Sequence, residues 1–208
     1  MKQQAIFCLS LLLSSCISTS KTEIISRAEI FEIQKIKKKP FSKILLQWKN
    51  YPYSDYHKIN ILEKDSSQLK AVEVEQNDYS RLKDMITEAF KENGLYDEIT
   101  GSGTIKILLL SYGRWKYLEL LTTYFTDTPY IFIIPSSLGV RYRMIAKTEQ
   151  NSDERKFENE GYVKTTFFLG LFPLYPLMTF KGAEKTTLKN LINKTIIDII
   201  SDQKKQIQ

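Results

Sequence analysis

The stretch Thr104-Ile105-Lys106-Ile107-Leu108-Leu109-Leu110-Ser111-Tyr112 decides how the rest of the chain is read. Ile105, Ile107 and Leu109 fall on one side of an extended backbone, Leu108 and Leu110 on the other. A strand apolar on both faces belongs in the centre of a sheet. Gly101-Ser102-Gly103 turns the chain into it.

Upstream, Tyr79, Leu82, Met85, Ile86, Ala89 and Phe90 recur at helical spacing. The spacing predicts a helix over about 78–93, capped by Asn77 or Asp78, with Gly94 at the left-handed position past its end. Further upstream, Ile44, Leu46 and Trp48 alternate with Leu45, Gln47 and Lys49 as in a strand, which the aromatic turn Tyr51-Pro52-Tyr53-Ser54-Asp55-Tyr56 ends. Lys58 to Glu63 and Ala71 to Glu75 read as two more strands, a hairpin across Asp65-Ser66-Ser67.

Downstream, Val140 to Lys147 alternates and is expected to pair with Lys156 to Lys164 across the polar turn Asn151-Ser152-Asp153-Glu154. A last amphipathic helix is predicted over about 186–200, with Leu188, Leu191, Ile192, Ile196, Ile199 and Ile200 on one side and Lys189, Asn190, Asn193, Lys194 and Asp198 on the other. The order of elements predicts an α+β fold: a mostly antiparallel sheet with two packed helices on one face.

Composition agrees with one folded unit. The 208 residues are 42% hydrophobic and 26% charged, which excludes wholesale disorder and fibrous repeats. Beyond the first fifteen residues nothing approaches the run of about 20 apolar residues that a spanning helix needs, and the mean hydropathy is −0.29.

The amino terminus carries an address. Met1 and Lys2 give a positive start, Ala5 to Leu13 an apolar run, and Ser14 and Ser15 lead to Cys16, the layout of an export signal over residues 1–15. Cys8 lies within the apolar run and leaves with it. The order Leu13-Ser14-Ser15-Cys16 resembles a bacterial lipobox. That resemblance implies cleavage before Cys16, acylation of its thiol and attachment to the lipid bilayer. Ile17, rather than an aspartate, at the next position implies export to the outer membrane, facing the periplasm. Two cysteines less Cys8 leave only Cys16, so no disulfide is expected and the domain relies on its core. Residues 16–40 are expected to be the lipidated terminus and a tether, its Lys35, Lys37, Lys38 and Lys39 either touching anionic head groups or marking a boundary. A single α+β domain over 41–202 and a disordered tail at 203–208 complete the expected organisation.

The helix ending Phe90-Lys91-Glu92-Asn93-Gly94-Leu95-Tyr96, the apolar strand, the run to Ile133-Ile134-Pro135 and the polar-faced hairpin are loosely similar to the layout of small, mostly uncharacterised envelope lipoproteins. The likeness implies a fold and brings no catalytic residue with it. Two aromatic-rich stretches, Tyr117 to Pro135 and Phe167 to Phe180, are too interrupted to cross a bilayer, by Glu119 and Asp127 in one and Pro173 and Pro176 in the other. They either fold back as core or present a membrane or partner surface, for which Trp115, Phe125, Phe132, Phe168 and Phe172 are the candidate contact residues.

No enzyme chemistry is expected. The single histidine, His57, has no cysteine nucleophile to serve, and His57 with Asp55 is too small a set for a metal site. Glu149, Asp153, Glu154, Glu158 and Glu160 lack the register of a calcium loop and read as a solvated acidic hairpin. No phosphate-binding glycine motif is present, so no cofactor is expected. The net charge of +6, which becomes +5 when Lys2 leaves with the signal, suits anionic lipid or wall polymer better than nucleic acid for an exported chain. Two functions follow: a membrane-anchored lipoprotein with a non-enzymatic binding or scaffolding role towards an envelope protein or lipid, or a carrier or enzyme whose pocket, walled by Phe125, Phe132, Phe168 and Phe172, takes an apolar envelope substrate.

Overall fold

The computed structural model describes residues 16–22, 40–53, 70–116, 136–150, 153–168 and 179–205. In chain order the elements are β1 (Cys16–Lys21), β2 (Phe41–Pro52), α1 (Gln76–Glu92), β3 (Gly103–Arg114), β4 (Ser136–Gln150), β5 (Asp153–Phe167) and α2 (Phe180–Lys205). The strands form one five-stranded sheet in the order β1-β5-β4-β3-β2. β2 and β3 are parallel and joined through α1, while β3, β4 and β5 follow one another antiparallel and β1 adds antiparallel to β5. The fold is thus α+β with a mostly antiparallel sheet and two helices.

Alternation in the strands sets which face is covered. Ile105, Ile107 and Leu109 of β3, Val140, Tyr142, Met144 and Ala146 of β4 and Val163 of β5 share one buried face. Both helices lie against it, α1 through Leu82, Ile86 and Phe90 and α2 through the stripe from Leu188 to Ile200. The other face carries an ion-pair ladder: Lys106 with Glu149, Lys147 with Glu154, Arg143 with Glu158 and Glu160, and Lys156 with Glu158. The acidic hairpin residues Glu149, Glu154, Glu158 and Glu160 are therefore cross-strand partners of cations, an arrangement that favours this register.

The end of α1 is a Schellman turn. Gly94 has φ of 69°, the Leu95 N–H donates to the Phe90 carbonyl at 2.9 Å and the Gly94 N–H to the Lys91 carbonyl at 3.0 Å. Leu95, wholly buried, then reaches β2: the Phe41 N–H donates to its carbonyl at 3.1 Å.

Several expected boundaries move. Cys16–Lys21, expected to begin a tether, is an edge strand, with Cys16 opposite Phe167 and Lys21 opposite Tyr162. Its inward positions are small and polar, and Ser18 shares a 2.7 Å hydrogen bond with Thr165, so apolar alternation gave no sign of it. The remainder of that stretch, 23–39, lies outside the described residues, as do the signal segment 1–15 and the strand expected over 58–63. Ala71 to Glu75 is not a strand. Only Val72 bridges to Asn50, because the chain must turn at Glu75, whose carbonyl accepts the N–H groups of Asp78 and Tyr79, to begin α1. β3 is an interior strand, but the middle position belongs to β4, since the crossover places β2 outside β3. α2 starts six residues before the expected Thr186, where Thr179 Oγ1 accepts the Gly182 N–H at 3.2 Å, and it runs through Lys205 into the expected tail.

The two ends of the sheet differ. At one, short links join Leu95 to Gly103 and Gln150 to Asp153. At the other lie Pro52, Arg114, Ser136, Phe167 and Cys16, together with the first turns of both helices.

Candidate functional site

The second end is built around a break in β3. Gly113 has φ of 77°, open to glycine and costly for other residues, and the register with β2 steps there from Tyr51–Tyr112 to Pro52–Arg114. Strict alternation would send Arg114 to the ladder face beside Tyr112. The extra residue turns it towards the helices instead.

There the guanidinium meets three groups. Nε donates to Glu184 Oε1 at 2.7 Å, and Nη2 donates to Glu184 Oε2 at 3.2 Å and to Asp78 Oδ2 at 2.5 Å. Its Cζ lies over the Trp48 ring, 5.2 Å from the centroid. Tyr142, wholly buried on β4, donates its hydroxyl to Glu184 Oε1 at 2.5 Å. A second chain of bonds supports Trp48: its Nε1 donates to Ser111 Oγ at 2.9 Å, and Ser111 donates to Asn50 Oδ1 at 2.8 Å.

Burial works against the charge on Arg114, yet the hydrogen bonds and charge of Glu184, with Asp78, outweigh it and hold the guanidinium protonated beyond its ordinary range. Burial, then the charge of Glu184, pushes the Tyr142 phenol well above the ordinary tyrosine value. Asp78 stands in the first turn of α1, where a carboxylate is favoured by the helix dipole, and Glu184 one turn into α2.

A groove of about 460 Å³ opens beside this cluster, between Asn50, Glu75, Trp115, Phe180 and Glu184. Every charge in the cluster already has a protein partner, so Arg114 offers little to an anionic ligand. Its consequence is mechanical: one side chain ties the beginnings of α1 and α2 to the end of β3. No set of three or more His, Cys, Asp or Glu side chains among the described residues could hold a metal ion.

Of the residues expected to contact membrane or partner, Trp115 is corrected. It is 4% exposed, packed edge-on against Phe167 at 5.6 Å between ring centroids and tilted on Phe180 at 4.8 Å. Its neighbours Arg114 and Lys116 suggested a water interface, but Arg114 is drawn inward and Lys116 pairs with Glu75 at 2.7 Å, leaving the indole between β5 and α2. Phe168 is half-buried just past the end of β5. Phe125, Phe132, Phe172, Asp55 and His57 lie outside the described residues. Cys16 is the first residue of β1.

Sequence reasoning missed the Arg114, Asp78, Tyr142 and Glu184 cluster. The available signal was Gly113 inside an otherwise apolar strand, a common mark of a bulge, followed directly by an arginine. No protein-family model matches the chain, and no curated protein matches it.

Proposed function

We propose that the chain is a lipid-anchored protein of the bacterial envelope, in the outer membrane facing the periplasm, whose domain binds or scaffolds a partner without catalysing a reaction. The observation that supports this most is the position of Cys16 in the sheet. It stands opposite Phe167, which stands opposite Ser136, so a diacylglyceryl group on Cys16 would emerge within two strand spacings, about 10 Å, of both. The connections that carry the two aromatic-rich stretches leave and rejoin the described structure at this same end, after Lys116, before Ser136, after Phe168 and before Thr179. An acylated Cys16 would hold this end against the bilayer with no spacer between lipid and sheet. The cluster at this end holds one guanidinium between two carboxylates as a clamp on the fold.

The test is substitution of the anchor. Cys16→Ser is expected to abolish incorporation of labelled fatty acid and to move the protein out of the membrane fraction. Fatty-acid labelling undiminished by the substitution would overturn the reading.

A further inference from the structure

Both helices pack on one face of the sheet, and among the described residues no helix or strand covers the other. The strand registers set the side chains of that uncovered face in cross-strand rows, and charge is spread unevenly over them. The four rows nearer Gly103 hold the four carboxylates of this face, Glu149, Glu154, Glu158 and Glu160, among six Lys or Arg. The described rows nearer Cys16 hold no carboxylate. The first of them runs Tyr51-Tyr112-Arg141-Tyr162-Lys21, one residue from each strand of the sheet. The next is Gly139-Lys164-Thr19 and the last Ser137-Thr166-Ile17. Arg141, Lys164 and Lys21 are all exposed, so three cations stand here without an opposing charge on their face.

The tyrosines of the first row are half-buried, laid against the sheet between and beside these cations. Tyr51 and Tyr112 stack with ring centroids 5.0 Å apart and 6° between their planes. Tyr162 leans from its own row towards the Cys16 end: a Cβ at Gly139 would collide with its hydroxyl, and glycine leaves that space to the ring. Amphipathic rings of this kind, interspersed with Lys and Arg, suit the boundary between water and an anionic bilayer. The row through Lys164 meets β1 at Thr19, three residues and about 10 Å from Cys16. The opposite flank at the same end mixes its signs, with Glu73 and Glu75 beside Lys116 and Lys181, and so offers an anionic surface no comparable attraction.

We propose that the domain lies on the bilayer through this part of the uncovered face, where Arg141, Lys164 and Lys21 meet the phosphates of anionic lipid head groups and the tyrosines rest among them. A chain held only by a lipid at Cys16 could lean to either side; the unopposed cations select this one. The inference deepens the lipid-anchored reading and rests on it for the nearness of the membrane, but attraction between the face and head groups requires no acyl chain. Failure of the one is therefore distinguishable from failure of the other.

The experiment uses the full chain with Cys16→Ser, so that no acyl group contributes, and measures its co-sedimentation with vesicles of equimolar phosphatidylglycerol and phosphatidylcholine and with vesicles of phosphatidylcholine alone. Partitioning is expected on the anionic vesicles and not on the neutral ones, and it should weaken as salt rises. Arg141→Glu together with Lys164→Glu is expected to lower it by about tenfold or more. Lys83→Glu together with Lys189→Glu changes the net charge equally from exposed positions on the two helices, and should lower it far less. The replaced side chains are exposed, so melting temperatures should match the parent; if the first pair melts lower, Arg141→Gln with Lys164→Gln takes its place, with a smaller loss in the same order. Equal losses for the two pairs would reduce the effect to net charge and overturn the proposal, as would absence of partitioning on anionic vesicles. Binding to soluble polyglutamate that matches the vesicles in strength and is lost in the same variant would assign the surface to an acidic protein instead.

Discussion

Arg114 holds Glu184 with two of its nitrogens, Nε at 2.7 Å and Nη2 at 3.2 Å, across 70 residues of chain, and the same Nη2 reaches Asp78 on the other helix. The pair joins the last residue of β3 to the beginning of α2, and neither helix start has another buried cation among the described residues. Paired, desolvated charges of this kind contribute little when intact, yet losing one partner strands the other.

Arg114→Met is therefore expected to lower stability by about 3–5 kcal/mol, because Glu184 stays buried without its counter-charge. Adding Glu184→Leu to the same chain should recover part of that loss, the remainder being the buried Tyr142 hydroxyl left without its acceptor. Urea unfolding of the single and double variants checks it, and a double variant no more stable than the single one would contradict the account.

Gly113→Ala tests the bulge. At a φ of 77° an alanine is strained by about 1–3 kcal/mol, and relief of that strain would return Arg114 towards the ladder face. The expected result is a lower melting temperature together with weakened coupling between Arg114 and Glu184 in a double-mutant cycle. An unchanged melting temperature would show that the backbone is not held in this conformation.

Stability at high pH reports on Tyr142. Its folded pKa is raised above the unfolded value, about 10, first by burial and then by Glu184. The stabilisation is thus fully present below about pH 10 and is lost as pH rises from there through the folded pKa. Tyr142→Phe should be destabilised near neutral pH, by about 1–3 kcal/mol for a lost bond to a charged acceptor, and should show a shallower decline above about pH 10. Parallel urea midpoints for the two proteins across that range would rule the explanation out.

Core and surface positions should separate cleanly. Leu109 is wholly buried in β3, so Leu109→Ala is expected to cost about 2–5 kcal/mol. Lys189, exposed on α2, should tolerate alanine within about 0.5 kcal/mol. Equal thermal midpoints would refute this placement of strand and helix.

What the sequence disclosed follows from where apolar side chains carried the signal. The stripes of α1 and α2, the alternation of β2 through β5, the β4–β5 hairpin and the turn at Gly94 all bury hydrocarbon at regular intervals, and periodicity finds such patterns. β1 escaped because its inward contacts are hydroxyls, Ser18 to Thr165, and the start of α2 escaped because Thr179, Gly182 and Glu184 carry a cap and an ion pair rather than a stripe. The Arg114 cluster was hidden for another reason: it joins residues from β3, β4, α1 and α2, and one glycine reverses the side to which its central residue points. Trp115 looked like an anchor from its charged neighbours, whereas the rings that enclose it, Phe167 and Phe180, lie far along the chain.

The pairing of β1 with β5 has a consequence for the order in which the molecule assembles. Ser18 and Thr165 are 147 residues apart, so the first strand can dock only after its partner has been synthesised and the intervening chain has closed. Once β2 to β5 have formed, docking β1 closes only the chain between Lys21 and Phe41, a cost repaid by six residues of pairing and by contact with α2. The core cluster draws on β2 to β5 and both helices and on no residue of β1, so docking of β1 is expected to come late in folding. Until then Cys16 belongs to a strand not yet paired; afterwards the same residue is held in the sheet opposite Phe167.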